Sequence, residues 1–132
     1  MKILLGALAL AALQPPAGWT EQPGVAEHAW GDPAMGVFGV VISQPSEPRL
    51  GARDAIAGFR DAAAAAGIEL GEPTVHGPEL VAPIRRGRWR GTARLRAGEH
   101  ALELAACFFT ERRPEQAERD CAAFLAAAEE AR

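Results

Sequence analysis

Arg88-Trp89-Arg90-Gly91-Thr92-Ala93-Arg94-Leu95-Arg96-Ala97-Gly98-Glu99-His100-Ala101-Leu102-Glu103-Leu104-Ala105-Ala106-Cys107-Phe108-Phe109 is the stretch that decides the fold. In its first half Arg88, Arg90, Thr92, Arg94 and Arg96 share one parity, and Trp89, Gly91, Ala93, Leu95 and Ala97 the other. A period of two is the signature of a strand, here with one basic and one apolar face. Gly98-Glu99 suits a two-residue type II′ turn, because glycine accepts the positive φ at its first position. Pairing Ala97 with His100 then sets Leu95 opposite Leu102, Trp89 opposite Phe108 and Arg94 opposite Glu103. The apolar parity continues from one strand to the other, as a hairpin with one buried face requires.

Working toward the C-terminus, Pro114 to about Glu130 reads as a helix. Proline is favoured at the first helical position, and Glu115 and Glu118 suit the positive end of the dipole. Ala117, Cys121, Leu125 and Ala128 form the apolar stripe, with Phe124 beside it. Cys121 thus points inward. Cys107 shares a sheet face with Ala101, Ala105 and Phe109, and docking the helix on that small-residue face brings the two sulfurs together. A chain with two cysteines in an oxidising compartment most simply makes one bridge. Cys107–Cys121 would close a loop of about 15 residues, worth roughly 3 kcal/mol. A redox or metal pair fits less well, since there is no C-x-x-C and no neighbouring histidine.

Working toward the N-terminus, the stretch from Gly71 to Pro83 is broken by proline and glycine and reads as extended and irregular, with one short edge strand near Thr74-Val75 or Leu80-Val81. Leu50 to Ala66 is a helix whose Ile56, Phe59, Ala63 and Ala66 make an apolar stripe. Gly67-Ile68 is its C-terminal cap. This helix is expected to cover the sheet face bearing Trp89, Leu95, Leu102, Leu104 and Phe108. Val37-Phe38-Gly39-Val40-Val41-Ile42 is a nearly unbroken apolar run, the pattern of a strand buried on both faces, ended by Gln44-Pro45-Ser46-Glu47-Pro48. Gly31-Asp32-Pro33 is a turn signal, and Val25 to Trp30 before it is weakly strand-like. The sum is an α+β domain: a mainly antiparallel sheet with a helix on each face, an α/β/α sandwich with one disulfide.

Residues 1–17 read as a secretory signal peptide. Lys2 is followed by the apolar run Ile3 to Leu13 and the small-residue exit Gln14-Pro15-Pro16-Ala17. The run is too short to span a membrane, which takes roughly 20 apolar residues. No cysteine near the junction offers a lipid anchor. Residues 18–132 then form a single domain, periplasmic or secreted, and monomeric. The chain carries a formal charge of −3, which argues against a nucleic-acid binder. Lys2 is its only lysine, so every later basic residue is arginine.

The order of elements resembles the PsbP-like family, including the small periplasmic DcrB-type domains. The matching features are Gly18-Trp19 after the leader, the hairpin closing at Val37 to Ile42, the helix through Ile56 and Phe59, the long hairpin Trp89 to Phe109, and the terminal helix. The resemblance covers nearly all of residues 18–132 and is one of layout. It implies an α/β/α sandwich and an accessory or assembly role without catalysis of its own. It carries over no ligand residue.

Chemistry-bearing patterns are sparse. His28, His76 and His100 form no H-x-x-x-H or H-E-x-x-H pair and stand at no zinc spacing from a cysteine. Ser43 and Ser46 lack the nucleophile-elbow context. Gly87-Arg88-Trp89-Arg90-Gly91 lacks both the spacing of a phosphate loop and a helix after it. No cofactor is implied. The candidate surface is the arginine row Arg85, Arg86, Arg88, Arg90, Arg94 and Arg96, twelve residues without an acid. Along a regular strand, same-face arginines project at steps of roughly 6.8 Å, and their forks match phosphate and carboxylate oxygens.

Two readings of the row stay open. The arginines pair internally with the acids of the terminal helix (Glu111, Glu115, Glu118, Asp120, Glu129, Glu130), or Arg86, Arg88, Arg90 and Arg96 contact an envelope component or partner protein. The functional expectation is a non-catalytic exported binding module. The alternatives are a disulfide-stapled inhibitor of a secreted hydrolase, presenting the Gly71–Pro83 loop, and a small hydrolase using His28 or His76 with a carboxylate.

Overall fold

The computed structural model describes residues 13–22, 28–45, 52–77, 79–97, 101–110 and 114–130. Among these lie eight strands and two helices: β1 (Thr20–Glu21), β2 (His28–Asp32), β3 (Val37–Pro45), α1 (Ala52–Ala65), β4 (Glu69–Leu70), β5 (Thr74–His76), β6 (Glu79–Arg86), β7 (Trp89–Ala97), β8 (Ala101–Phe109) and α2 (Pro114–Glu130). The strands make one sheet in the order β1-β2-β3-β8-β7-β6-β4, with β5 also paired to β6. Every pairing is antiparallel.

The apolar run at Val37 lies at the centre of this sheet. β3 is bonded to β2 on one side and to β8 on the other, so both of its edges are paired, and its two faces are buried in different clusters, Val37 and Val41 in one and Val40 in the other. The strand runs through Gln44 to Pro45, beyond its expected end, because β8 continues to pair with it there. Residues 33–36 make the turn that Gly31-Asp32-Pro33 announced, and β2 before it starts at His28. Residues 25–27, the rest of the expected first strand, lie outside the described residues.

The β7–β8 hairpin forms with its apolar parity as expected but in a shifted register. Ala97 is opposite Leu102, Leu95 opposite Leu104, Arg96 opposite Glu103, and Arg94 opposite Ala105. The first of these pairs leaves four residues, 98–101, between its members, where a two-residue turn was expected. A shift of two residues preserves every inward and outward assignment, because side chains alternate with period two. Cross-strand partners therefore change while the faces do not. Trp89 is now opposite Arg86 of β6.

A larger difference concerns Gly71–Pro83. The short edge strand expected near Thr74-Val75 is β5, but from Glu79 the chain is a full strand rather than irregular: β6 pairs with β7 over eight positions, and β4 and β5 pair with separate parts of its outer edge. Pro83, which argued against a strand, sits in the gap between those two short partners. Its carbonyl accepts from the Gly71 amide at 2.8 Å, on the side away from β7. A residue's N and O point to the same side of a strand, so the missing N–H falls at this interrupted edge and costs the β6–β7 ladder nothing.

The core divides by sheet face. Ala105, Cys107 and Phe109 of β8 join Val37 and Val41 of β3, Trp30 of β2 and Trp19 in one cluster, which the α2 residues Ala117, Cys121, Phe124, Leu125 and Ala128 complete. The opposite parity, Val40, Ala93, Ala106, Phe108 and Ile84, packs with Phe38, Trp89 and Phe59 of α1. Leu80, Ala82 and Leu95 extend that side, again against Phe59. Ala63 of α1 is buried as the stripe requires, but Ala66 is exposed, because the helix has already ended at Ala65. The side chain of Ile56 lies outside the described residues. Gly67 has φ +74°, and the amides of Gly67 and Ile68 reach back to the carbonyls of Ala64 (3.1 Å) and Ala63 (2.8 Å). These are the two bonds of a Schellman cap, and Ile68 folds back onto the core.

Cys107 and Cys121 are joined, with Cα atoms 5.4 Å apart. Residues 1–12 of the expected leader lie outside the described residues. Leu13, which closes its apolar run, is buried in the cluster with Trp19 and Phe124. Among the described residues no helix is long and apolar enough to cross a membrane.

Candidate functional site

The registers align the α2 side of the sheet into rows. One row runs Trp30, Gly39, Cys107, Thr92, Pro83 across five strands. Next to it run Asp32, Val37, Phe109, Arg90, Arg85, Glu69. On the other flank run His28, Val41, Ala105, Arg94, Val81, Thr74. α2 rests on the left half of these rows. Gly39 makes this possible: a Cβ there would stand 2.5 Å from the Phe124 ring, which is fully buried over it. Trp19 stacks on Phe124 at 5.4 Å and Trp30 tilts against it at 5.9 Å. One turn before Phe124, Cys121 is bonded to Cys107 in the same row, so ring and disulfide together hold the helix over β3 and β8.

The right half of the rows, on β7, β6 and β4, is left open. Between it and α2 lies a trough of about 780 Å³. Pro83, Phe109, Ala122 and Leu125 give it an apolar floor and wall beside the Thr92 hydroxyl, Arg85, Arg90 and Arg94 stand along it, and Glu69 and Glu118 border it. It contains no histidine.

The arginine row is divided by its neighbours. Arg94 is half-buried and answers the internal-pairing reading: its Nη1 donates to Glu129 of α2 at 3.0 Å, and its Nε lies 3.8 Å from Glu79. That Nε is buried and makes no hydrogen bond, so the Glu79 contact is electrostatic only. Arg96 stands in register between Glu79 and Glu103 but is exposed and forms no ion pair among the described residues. The other four also differ from Arg94. Arg85, Arg86, Arg88 and Arg90 are exposed, and among the described residues none forms an ion pair. They cluster because β6 and β7 are joined by the two-residue turn Gly87-Arg88, with Gly87 at φ +59°.

Of the four expected contact residues, the structure brings Arg86, Arg88 and Arg90 to one end of the hairpin and sets Arg96 six residues further along β7, roughly 20 Å away. The three do not share a face. Arg90 points to the trough side, lying over the Phe109 ring at 5.3 Å. Arg86 has the parity of Ile84 and Ala82, opposite to that of Arg90, and its Nε is near Gly67. Arg88 is in the turn. The arginine that joins Arg90 is Arg85, directly opposite it on β6. Sequence reasoning missed that pair because it treated the stretch before Arg85 as loop; two arginines flanking a short Gly-Arg turn were the available signal.

His28 stacks on Trp30 with ring centroids 6.2 Å apart, and His76 is exposed on β5. Among the described residues no three histidine, cysteine or acidic side chains are grouped as a metal site. Comparison with protein-family models, curated proteins and solved structures finds no match to this chain.

Proposed function

We propose that this chain is a non-catalytic exported module that recognises an anionic envelope component or partner protein through the arginine-rich end of the β6–β7 hairpin. The observation that carries the reading is the contrast within one strand pair. Arg94 is held by Glu79 and Glu129, while Arg85, Arg86, Arg88 and Arg90 are exposed without an ion pair among the described residues. Structural need accounts for the first group and not for the second. Four guanidinium forks at one hairpin end suit phosphate or carboxylate oxygens, which they engage bidentately.

The disulfide fits an oxidising compartment, in keeping with the leader read at residues 1–17 and a periplasmic or secreted location. We further propose the α/β/α sandwich of the PsbP-like layout, with α2 on one sheet face and α1 on the other. The face-separated clusters support it, since α2 residues occur in one and Phe59 of α1 packs against the other two.

Binding of the oxidised protein to lipopolysaccharide and to anionic vesicles, at low and moderate salt, tests the functional reading. Binding is expected to fall steeply with salt, and Arg88→Glu with Arg90→Glu to weaken it at unchanged melting temperature. No binding at low salt, or binding untouched by the double reversal, would overturn it.

A further inference from the structure

The trough beside the hairpin has features that an open sheet face does not need. Like charges directly opposite each other on neighbouring strands are destabilising, yet Arg85 and Arg90 occupy such a pair. Arg90 is steadied by the Phe109 ring beneath it rather than by an acid. Glu69 is the next residue in the row and is in register with Arg85, but it does not approach within ion-pair distance. An oxyanion seated on this row, within reach of both guanidinium forks, would offset their like charge with charge-assisted contacts. Behind that seat Pro83 and Ala122 are exposed in the trough and Leu125 stands at its wall, with Thr92 and the acid-paired Arg94 beyond them. Its 780 Å³ falls within the usual range of small-molecule sites. A bare inorganic ion would leave this apolar length unfilled, and a flat bilayer could not enter it.

We infer that the trough between α2 and the β4–β6–β7 end of the sheet binds a slender amphiphile, its phosphate or carboxylate head held by Arg85 and Arg90 and its apolar tail lying along Pro83, Ala122 and Leu125. The inference rests on the proposed anion-binding role of the hairpin and names the ligand class for its trough side. Glu69 and Glu118 border the same space. As negative charges beside the head they oppose binding, and their neutralisation strengthens it.

The test is calorimetric titration of the oxidised full chain with dodecyl phosphate or laurate below micellar concentration, against inorganic phosphate, a neutral dodecyl glycoside and phosphatidic-acid vesicles. Saturable binding of the two single-chain anions is expected, with the other soluble probes far weaker. Arg85→Gln and Arg90→Gln should each weaken it roughly tenfold, the scale of a lost hydrogen bond to a charged group. Glu69→Gln should tighten it, and Arg119→Gln, exposed on α2 and outside both the trough and the hairpin end, should leave it unchanged. The vesicle arm, repeated with Arg86→Gln and Arg88→Gln, separates the two proposals. Vesicle binding lost with Arg86 and Arg88, together with no saturable binding of the two single-chain anions, would keep the hairpin reading and overturn the trough. Equal affinity for inorganic phosphate, or no response to Arg85→Gln and Arg90→Gln, would also overturn the trough.

Discussion

At the scale of single residues, Gly39 and Phe124 define each other. The ring lies where any side chain at 39 would go, against the aromatic faces of Trp19 and Trp30. Gly39→Ala is therefore an overpacking change that should cost about 1–3 kcal/mol. Phe124→Ala should cost about 3–5 kcal/mol by opening a cavity. Both are read from denaturant midpoints, and an unchanged Gly39→Ala midpoint would mean that the ring does not rest on the strand. The Arg94–Glu129 pair belongs at the other end of the scale. Arg94 is 31% and Glu129 48% exposed at the side chain, so solvent screens the attraction, and Glu129→Gln should lower stability by no more than about 1 kcal/mol.

At the scale of elements, parity was legible and register was not. The alternation from Arg88 to Ala97 assigns each side chain to a face from the residues alone, because the backbone geometry imposes it. Which residue faces which depends on the hairpin loop, and a two-residue slip costs the parity nothing. The strand Glu79–Arg86 was hidden by Pro83, whose tolerance depends on the gap between β4 and β5, a tertiary fact. The α1 cap was legible, since Gly67 followed by an apolar residue is a local signal, and Gly67→Ala should cost about 1–2 kcal/mol by forcing a side chain into left-handed backbone. The disulfide staples α2 to β8. Replacing both cysteines by alanine should remove roughly 3 kcal/mol, seen as a lower denaturation midpoint that reductant no longer shifts. A variant as stable as the oxidised parent would show that ring packing alone fixes the helix.

At the scale of the whole molecule, the N-terminus and the salt response carry the predictions. Leu13 is only 6% exposed, packed in the cluster under Trp19. Burying a leucine is worth about 1.5–3 kcal/mol, so protein beginning at Gly18 should unfold at lower denaturant than protein beginning at Leu13. Equal midpoints would detach Leu13 from the core and favour processing at Ala17. The exposed hairpin end should bind anionic surfaces in a salt-dependent manner, while the Arg94 cluster, already neutralised by Glu79 and Glu129, should contribute little.

The residues by themselves determined the α+β class, the two-faced hairpin, the inward direction of both cysteines and the concentration of arginine in one segment. Each of these rests on a local period or local cap chemistry. Tertiary structure alone decided that β3 pairs with β8, that Arg94 falls among acids while Arg85 joins Arg90, and that a trough opens beside α2. These depend on distances between segments far apart in the chain. The position of α2 is set by the disulfide and by a ring fitted over a glycine, and the area that it leaves uncovered is set by the width of the sheet.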